Sequence, residues 1–132
     1  MNAVTFSKSE MEIMSVLWAA DRPLTRSEII DLAPLKTWKP SSIHILLNSM
    51  LEKKAIVVAG FAKAGKHYGR TYAPAYTEAQ HAAMQIQTME SYQDSKSTAV
   101  KGVISALLDD SDLSDETLKE LESLLSEKRK KK

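Results

Sequence analysis

Along the first part of the chain, apolar residues recur at intervals of three and four and are interrupted by prolines. In FSKSEMEIMSVLW, Ile13, Met14, Leu17 and Trp18 share one helical face, Ser7 and Glu10 have the spacing of a capping box, and Phe6 is placed to staple against Met11. Pro23 breaks this pattern. TRSEIIDLA restarts it with a second capping box from Thr25 to Glu28, carries Ile29, Ile30 and Leu32, and stops at Pro34. A third helix is expected from Pro40, whose fixed φ suits a first turn, to Lys53, with Ile43, Leu46, Leu47, Met50 and Leu51 on one arc. The period then changes: IVVAGFA and TYAPAY are rich in β-branched and aromatic residues and flank KAGKHYGR, which predicts a β-hairpin with a basic tip.

Three helices and a hairpin, in that order, predict a winged helix-turn-helix over residues 1–76. From Thr77 onward the pattern is helical again. One helix is expected from Ala79 to about Tyr92, with Ala82, Ile86 and Met89 on one side. A second carries Val100, Val103, Ile104, Leu107 and Leu108 and ends at the acidic stretch Asp109 to Asp112; a third, capped by Ser114, carries Leu118, Leu121, Leu124 and Leu125. The expected fold is therefore mainly α, a winged helix followed by a three-helix domain over residues 77–132. So short a domain buries little core alone and is expected to pair with a second copy. The residues expected in that dimer interface are Ile86, Met89, Val100, Val103, Ile104, Leu107, Leu108, Leu118, Leu121 and Leu125.

Charge is divided unevenly between the two parts. Residues 1–76 hold ten Lys and Arg against six Asp and Glu, net +4, whereas residues 77–132 hold eight against eleven, net −3. A basic front part suits a polyanionic partner that the acidic rear part repels. There are no cysteines, which excludes disulfides, thiolate metal sites and a cysteine nucleophile. No apolar run approaches membrane-spanning length and no secretory signal opens the chain, so the cytoplasm is the expected location.

The third helix has an unusual polar side. Opposite its apolar arc stand Ser41, Ser42, His44, Ile45, Asn48 and Ser49, short and uncharged where a solvated face ordinarily carries Lys and Glu. Such side chains suit the DNA major groove: Ser and Asn hydrogen-bond to base edges, Asn pairs bidentately with adenine, and Ile can touch a thymine methyl. Lys36, Lys39 and Lys53 flank this helix, and Lys63, Lys66, His67 and Arg70 lie on the hairpin, where cations would meet phosphates. Drift on an exposed face is the plain alternative, because single exposed apolar residues are common. A winged helix that binds a protein partner through the same face is the rival functional reading, and the basic hairpin argues against it.

SEMEIMSVLW, PLTRSEIID, TWKPSSIHILLNSMLEKKAI and DLSDETLKELESLL together resemble the penicillinase and methicillin-resistance repressor family over nearly the whole chain. The most specific match is the pattern met by Trp38, Pro40, Ser42, Ile43, Leu46, Leu47 and Asn48. The resemblance implies a dimeric repressor on a pseudo-palindromic operator. Lys39 stands where the family commonly has a capping Ser or Thr, and Ser41, His44 and Ser49 stand where it often has Lys or Arg, so a different operator sequence is expected. The Asn-Phe bond at which resistance repressors are cleaved corresponds to Ala106 and Leu107, and the cysteine cluster of copper-responsive relatives has no counterpart.

No enzyme site is expected. The chain has no phosphate-cradling glycine loop, nucleophile elbow or paired-carboxylate motif. His44, His67 and His81 lack the spacing of a zinc site, and the DDSD stretch lacks the glycine and terminal glutamate of a calcium loop, so no metal or cofactor is expected.

Overall fold

The computed structural model describes residues 4–34, 37–110 and 112–131. The described residues form seven α-helices and three short strands: α1 (Lys8–Ala20), β1 (Leu24–Thr25), α2 (Arg26–Leu32), α3 (Ile43–Glu52), β2 (Ile56–Ala64), β3 (His67–Pro74), α4 (Glu78–Ile86), α5 (Glu90–Asp94), α6 (Lys96–Asp110) and α7 (Asp115–Lys130). A 3₁₀ turn, Pro40–Ser42, leads into α3. The architecture is the mainly helical winged helix with a helical rear part that the periodicity predicts. Two compact units divide the chain, Met1–Thr88 and Met89–Lys132.

In the first unit the helix starts follow their caps. Ser7 and Glu10 close a capping box on α1, Thr25 and Glu28 close one on α2, and Thr77 and Gln80 close one on α4. The Thr25 amide, the first of several donors to the Glu28 carboxylate, helps hold that group below the usual range against the opposing effect of burial. The core takes Ile13, Met14 and Leu17 from α1, Leu24 from β1, Ile29 from α2, Ile43, Leu47 and Met50 from α3, and Ile56 and Tyr72 from the hairpin. Leu32 is half exposed, at the outer end of the α2 stripe.

The end of α3 sets the start of the wing. Lys54 adopts a left-handed φ of 61°, its amide donates to the Leu51 carbonyl, and the Ala55 amide donates to the Met50 carbonyl. This paired closure of a helix C-terminus reverses the chain directly into β2. β2 and β3 pair antiparallel from Ile56↔Pro74 to Ala64↔His67, with an irregularity between Val58 and Gly60. The two-residue turn places Gly65 first at φ 65°, as a type II′ hairpin requires. β1 adds a third strand outside β3, through Leu24↔Tyr72 and Thr25↔Thr71. A two-residue strand of this kind carries no readable period.

The helix expected from Ala79 to Tyr92 is two helices. Thr88 Oγ1 donates to the Gln85 carbonyl at 2.6 Å, and Met89 is extended at φ −65°, ψ 140°, so α4 ends and α5 begins anew. α4 also groups with the first unit and not with the rear helices. The ring of His81 on α4 lies 5.3 Å from that of Phe6, 5.5 Å from that of Trp18 and 6.1 Å from that of Tyr76, while Trp18 Nε1 donates to the Tyr76 carbonyl at 2.9 Å. Ile86, assigned to the dimer interface from sequence, is accordingly a half-buried residue of the first unit. No helix among the described residues is long and apolar enough to cross a membrane.

A candidate nucleic-acid interface on the third helix and the wing

α3 presents two sharply different sides. Ile43, Leu47 and Met50 are at most 3% exposed, while Ser41, His44, Ile45 and Asn48 are open to solvent and Ile45 is 74% exposed. The entry to this helix is held from α1: the Thr37 amide donates to Glu12 Oε1 at 3.0 Å and the Thr37 hydroxyl to Glu12 Oε2 at 2.7 Å. These bonds lower the Glu12 pKa from its ordinary value. Lys39 occupies the cap of the 3₁₀ turn without a side-chain capping bond. A lysine offers no acceptor there, and Pro40 beside it has no N–H to satisfy.

Ser49 of the predicted face and the flanking cation Lys53 both engage a carboxylate of α1. Ser49 donates to Glu10 Oε2 at 2.8 Å, and Lys53 Nζ lies 2.6 Å from Glu10 Oε1 and 2.9 Å from the Thr5 carbonyl oxygen. Glu10 is 4% exposed. Burial alone would raise its pKa, but Lys53, the Ser7 amide and the Ser49 hydroxyl outweigh that and lower it to about 2. A buried carboxylate needs partners, and half-buried Ser49 and Lys53 both turn to α1 to supply them. Ser42, half-buried at the junction of the 3₁₀ turn and α3, is only partly available.

The remaining predicted cations are open. Lys39, Lys63, Lys66, His67 and Arg70 are exposed, and none of the four Lys and Arg among them pairs with a carboxylate among the described residues. Lys36 lies outside the described residues. One basic residue on this surface escapes sequence reading: Arg26, at the start of α2, sets its guanidinium against the edge of the His44 imidazole, 3.0 Å from Nδ1. Its only sequence cue is a basic residue directly after a helix cap, which ordinarily marks solvated surface.

The described residues of this chain group no three His, Cys, Asp or Glu side chains as a metal would need. Residues 6–127 match the penicillinase repressor family. The chain belongs to that family. Its members are transcriptional regulators and not enzymes, which agrees with the expectation from sequence. An uncharacterized 16.5 kDa protein in the ptsI 3′ region of Latilactobacillus sakei is 27% identical over 127 residues, covering 96% of this chain and 82% of that protein.

In the rear unit the predicted apolar stripe is present but uncovered. Ala99 is the only fully buried residue there among those described. Val103 is half-buried, whereas Met89, Val100, Ile104, Leu107, Leu108, Leu118, Leu121 and Leu125 are exposed, Leu107 at 61% and Leu125 at 61%.

Proposed function

We propose that this member of the penicillinase repressor family is a cytoplasmic homodimer that binds a pseudo-palindromic operator and blocks transcription by occupying it. The observation that carries this reading is the uncharged strip of Ser41 in the 3₁₀ turn and His44, Ile45 and Asn48 on α3, bordered by Lys39 and the wing cations, which meet no carboxylate among the described residues. In the major groove Asn48 pairs with a base edge, Ser41 and His44 hydrogen-bond to bases or phosphates, and Ile45 meets a thymine methyl. Lys39 and the wing residues Lys63, Lys66, His67 and Arg70 lie on phosphates and set the register. The exposed leucines of α6 and α7 are buried by the same helices of a second copy, which holds two reading heads at a fixed spacing. Neither the family's Asn-Phe cleavage site nor a cysteine cluster is present in this sequence, so neither of those induction routes is carried over to it.

Selection of bound duplexes from a random DNA pool by the full chain tests the proposal. Recovered sites should contain inverted half-sites about one helical turn, or a multiple of it, apart. Affinity should fall with salt by about 0.9 log units per log unit for each phosphate neutralised. A flat salt response, or recovery of no common sequence, would count for a protein partner on this face instead.

A further inference from the structure

Arg26 and His44 form one wall of a 270 Å³ cleft where α2, α3 and the wing converge, and Ser27, Asn48 and Arg70 also line it. No Asp or Glu does. Arg26 Nη1 lies against the edge of the His44 ring, 3.0 Å from Nδ1 and 2.5 Å from Nε2, and since a guanidinium can only donate, the ring holds Arg26 in the cleft through a nitrogen acceptor. Arg70 enters the same cleft from β3 without a carboxylate partner among the described residues. Two permanent positive charges thus face one small space that supplies no negative charge. Their planar forks match the oxygens of a phosphate, with the Ser27 hydroxyl as a further donor.

We propose that this cleft receives one backbone phosphate of the bound DNA, gripped by Arg26 from α2 and Arg70 from the wing, with Arg26 parked on His44 until the phosphate arrives. The proposal rests on the operator-binding reading above. DNA is the favoured source of the phosphate because His44 and Asn48 belong both to this cleft and to the strip assigned to base edges. A phosphate held here therefore sits beside the bases being read, and the start of α2 and the wing are locked to the same strand.

The test uses the full chain and a duplex recovered in the random-pool selection. Each phosphate in turn is replaced by an uncharged methylphosphonate, and affinity is measured for the wild type, Arg26→Ala, Arg70→Ala and Arg26→Lys. One backbone position should weaken wild-type binding by about ten- to a hundredfold, and that same position should have a clearly smaller effect in each alanine variant, where only one of the two arginines is left to lose its contact. Arg26→Lys should retain the charge yet lose part of the affinity, since a lysine cannot reproduce the fork. Urea unfolding identifies any variant that fails to fold, and the Arg26→Lys comparison then carries the test. If wild type binds but the two arginines map to different phosphates, or Arg26→Ala and Arg26→Lys keep the wild-type profile, the shared cleft is wrong while operator binding stands. If wild type recovers no duplex, the operator reading itself fails. Saturable binding of inorganic phosphate without DNA, seen as shifts of the His44 ring resonances and lost in Arg26→Ala, would assign the cleft to a free anion and overturn its assignment to DNA.

Discussion

Lys53 at the end of α3 meets the buried carboxylate of Glu10 in the first turn of α1, Nζ to Oε1 at 2.6 Å. Glu10 also belongs to the capping box of its own helix, where Oε1 accepts from the Ser7 amide at 2.9 Å. One side chain therefore starts α1 and anchors α3, so the pose of the proposed reading surface depends on a charge it never presents to a partner.

That charge makes the fold acid-sensitive. The Glu10 pKa is lowered from 4.5 to about 2 on folding, so its contribution is complete above the unfolded value and is lost as pH falls through the folded one. Between about pH 5 and pH 2 the protein should lose on the order of 3 kcal/mol through this group. Urea unfolding across that range should show a shallower pH dependence for Glu10→Gln than for the wild type. Parallel curves would place the acid sensitivity elsewhere.

Ser49→Ala and Lys53→Ala should each lower stability by about 1 to 3 kcal/mol, because each leaves the buried carboxylate short of a partner. Neither should change the salt slope of DNA binding. A drop of about 0.9 in that slope for Lys53→Ala would mean that Lys53 leaves Glu10 for a phosphate.

Asn48→Ala should leave stability nearly unchanged, since Asn48 is exposed, yet cost about 1 to 3 kcal/mol of discrimination between the selected operator and its single-base variants. Competition binding against a panel of variants reads this directly. An unaltered order of preference would remove Asn48 from the base-reading set.

Leu107→Asp should convert dimer to monomer, because a carboxylate on the uncovered stripe of α6 would have to be desolvated between two copies. Leu107 is 61% exposed in the single chain, so the substitution tests pairing with little disturbance of the helix itself. Sedimentation at the wild-type dimer mass would take Leu107 out of the interface.

The features that local sequence determined are those that need only neighbouring residues. Three capping boxes, at Ser7–Glu10, Thr25–Glu28 and Thr77–Gln80, start three helices, and the apolar arc of Ile43, Leu47 and Met50 is buried as its spacing requires. Gly65 sits at the hairpin turn, where its φ of 65° suits the first central position. The break at Met89 was less legible, since apolar spacing runs across it, while the first helix ends through the Thr88 amide and hydroxyl bonds to the Gln85 carbonyl and the extended backbone of Met89.

Tertiary structure decided which polar residues are available to a partner. On a helical projection Ser49 and Lys53 look as free as Asn48; the carboxylate that claims them lies 39 and 43 residues earlier in the chain. Arg26 joins His44 across 18 residues, and Leu24 and Thr25 become a strand only because β3 returns beside them. Periodicity and caps report how a segment satisfies its own backbone and buries its own stripe. Pairing between distant polar groups depends on where packing brings the segments together, and that information is carried by the fold as a whole.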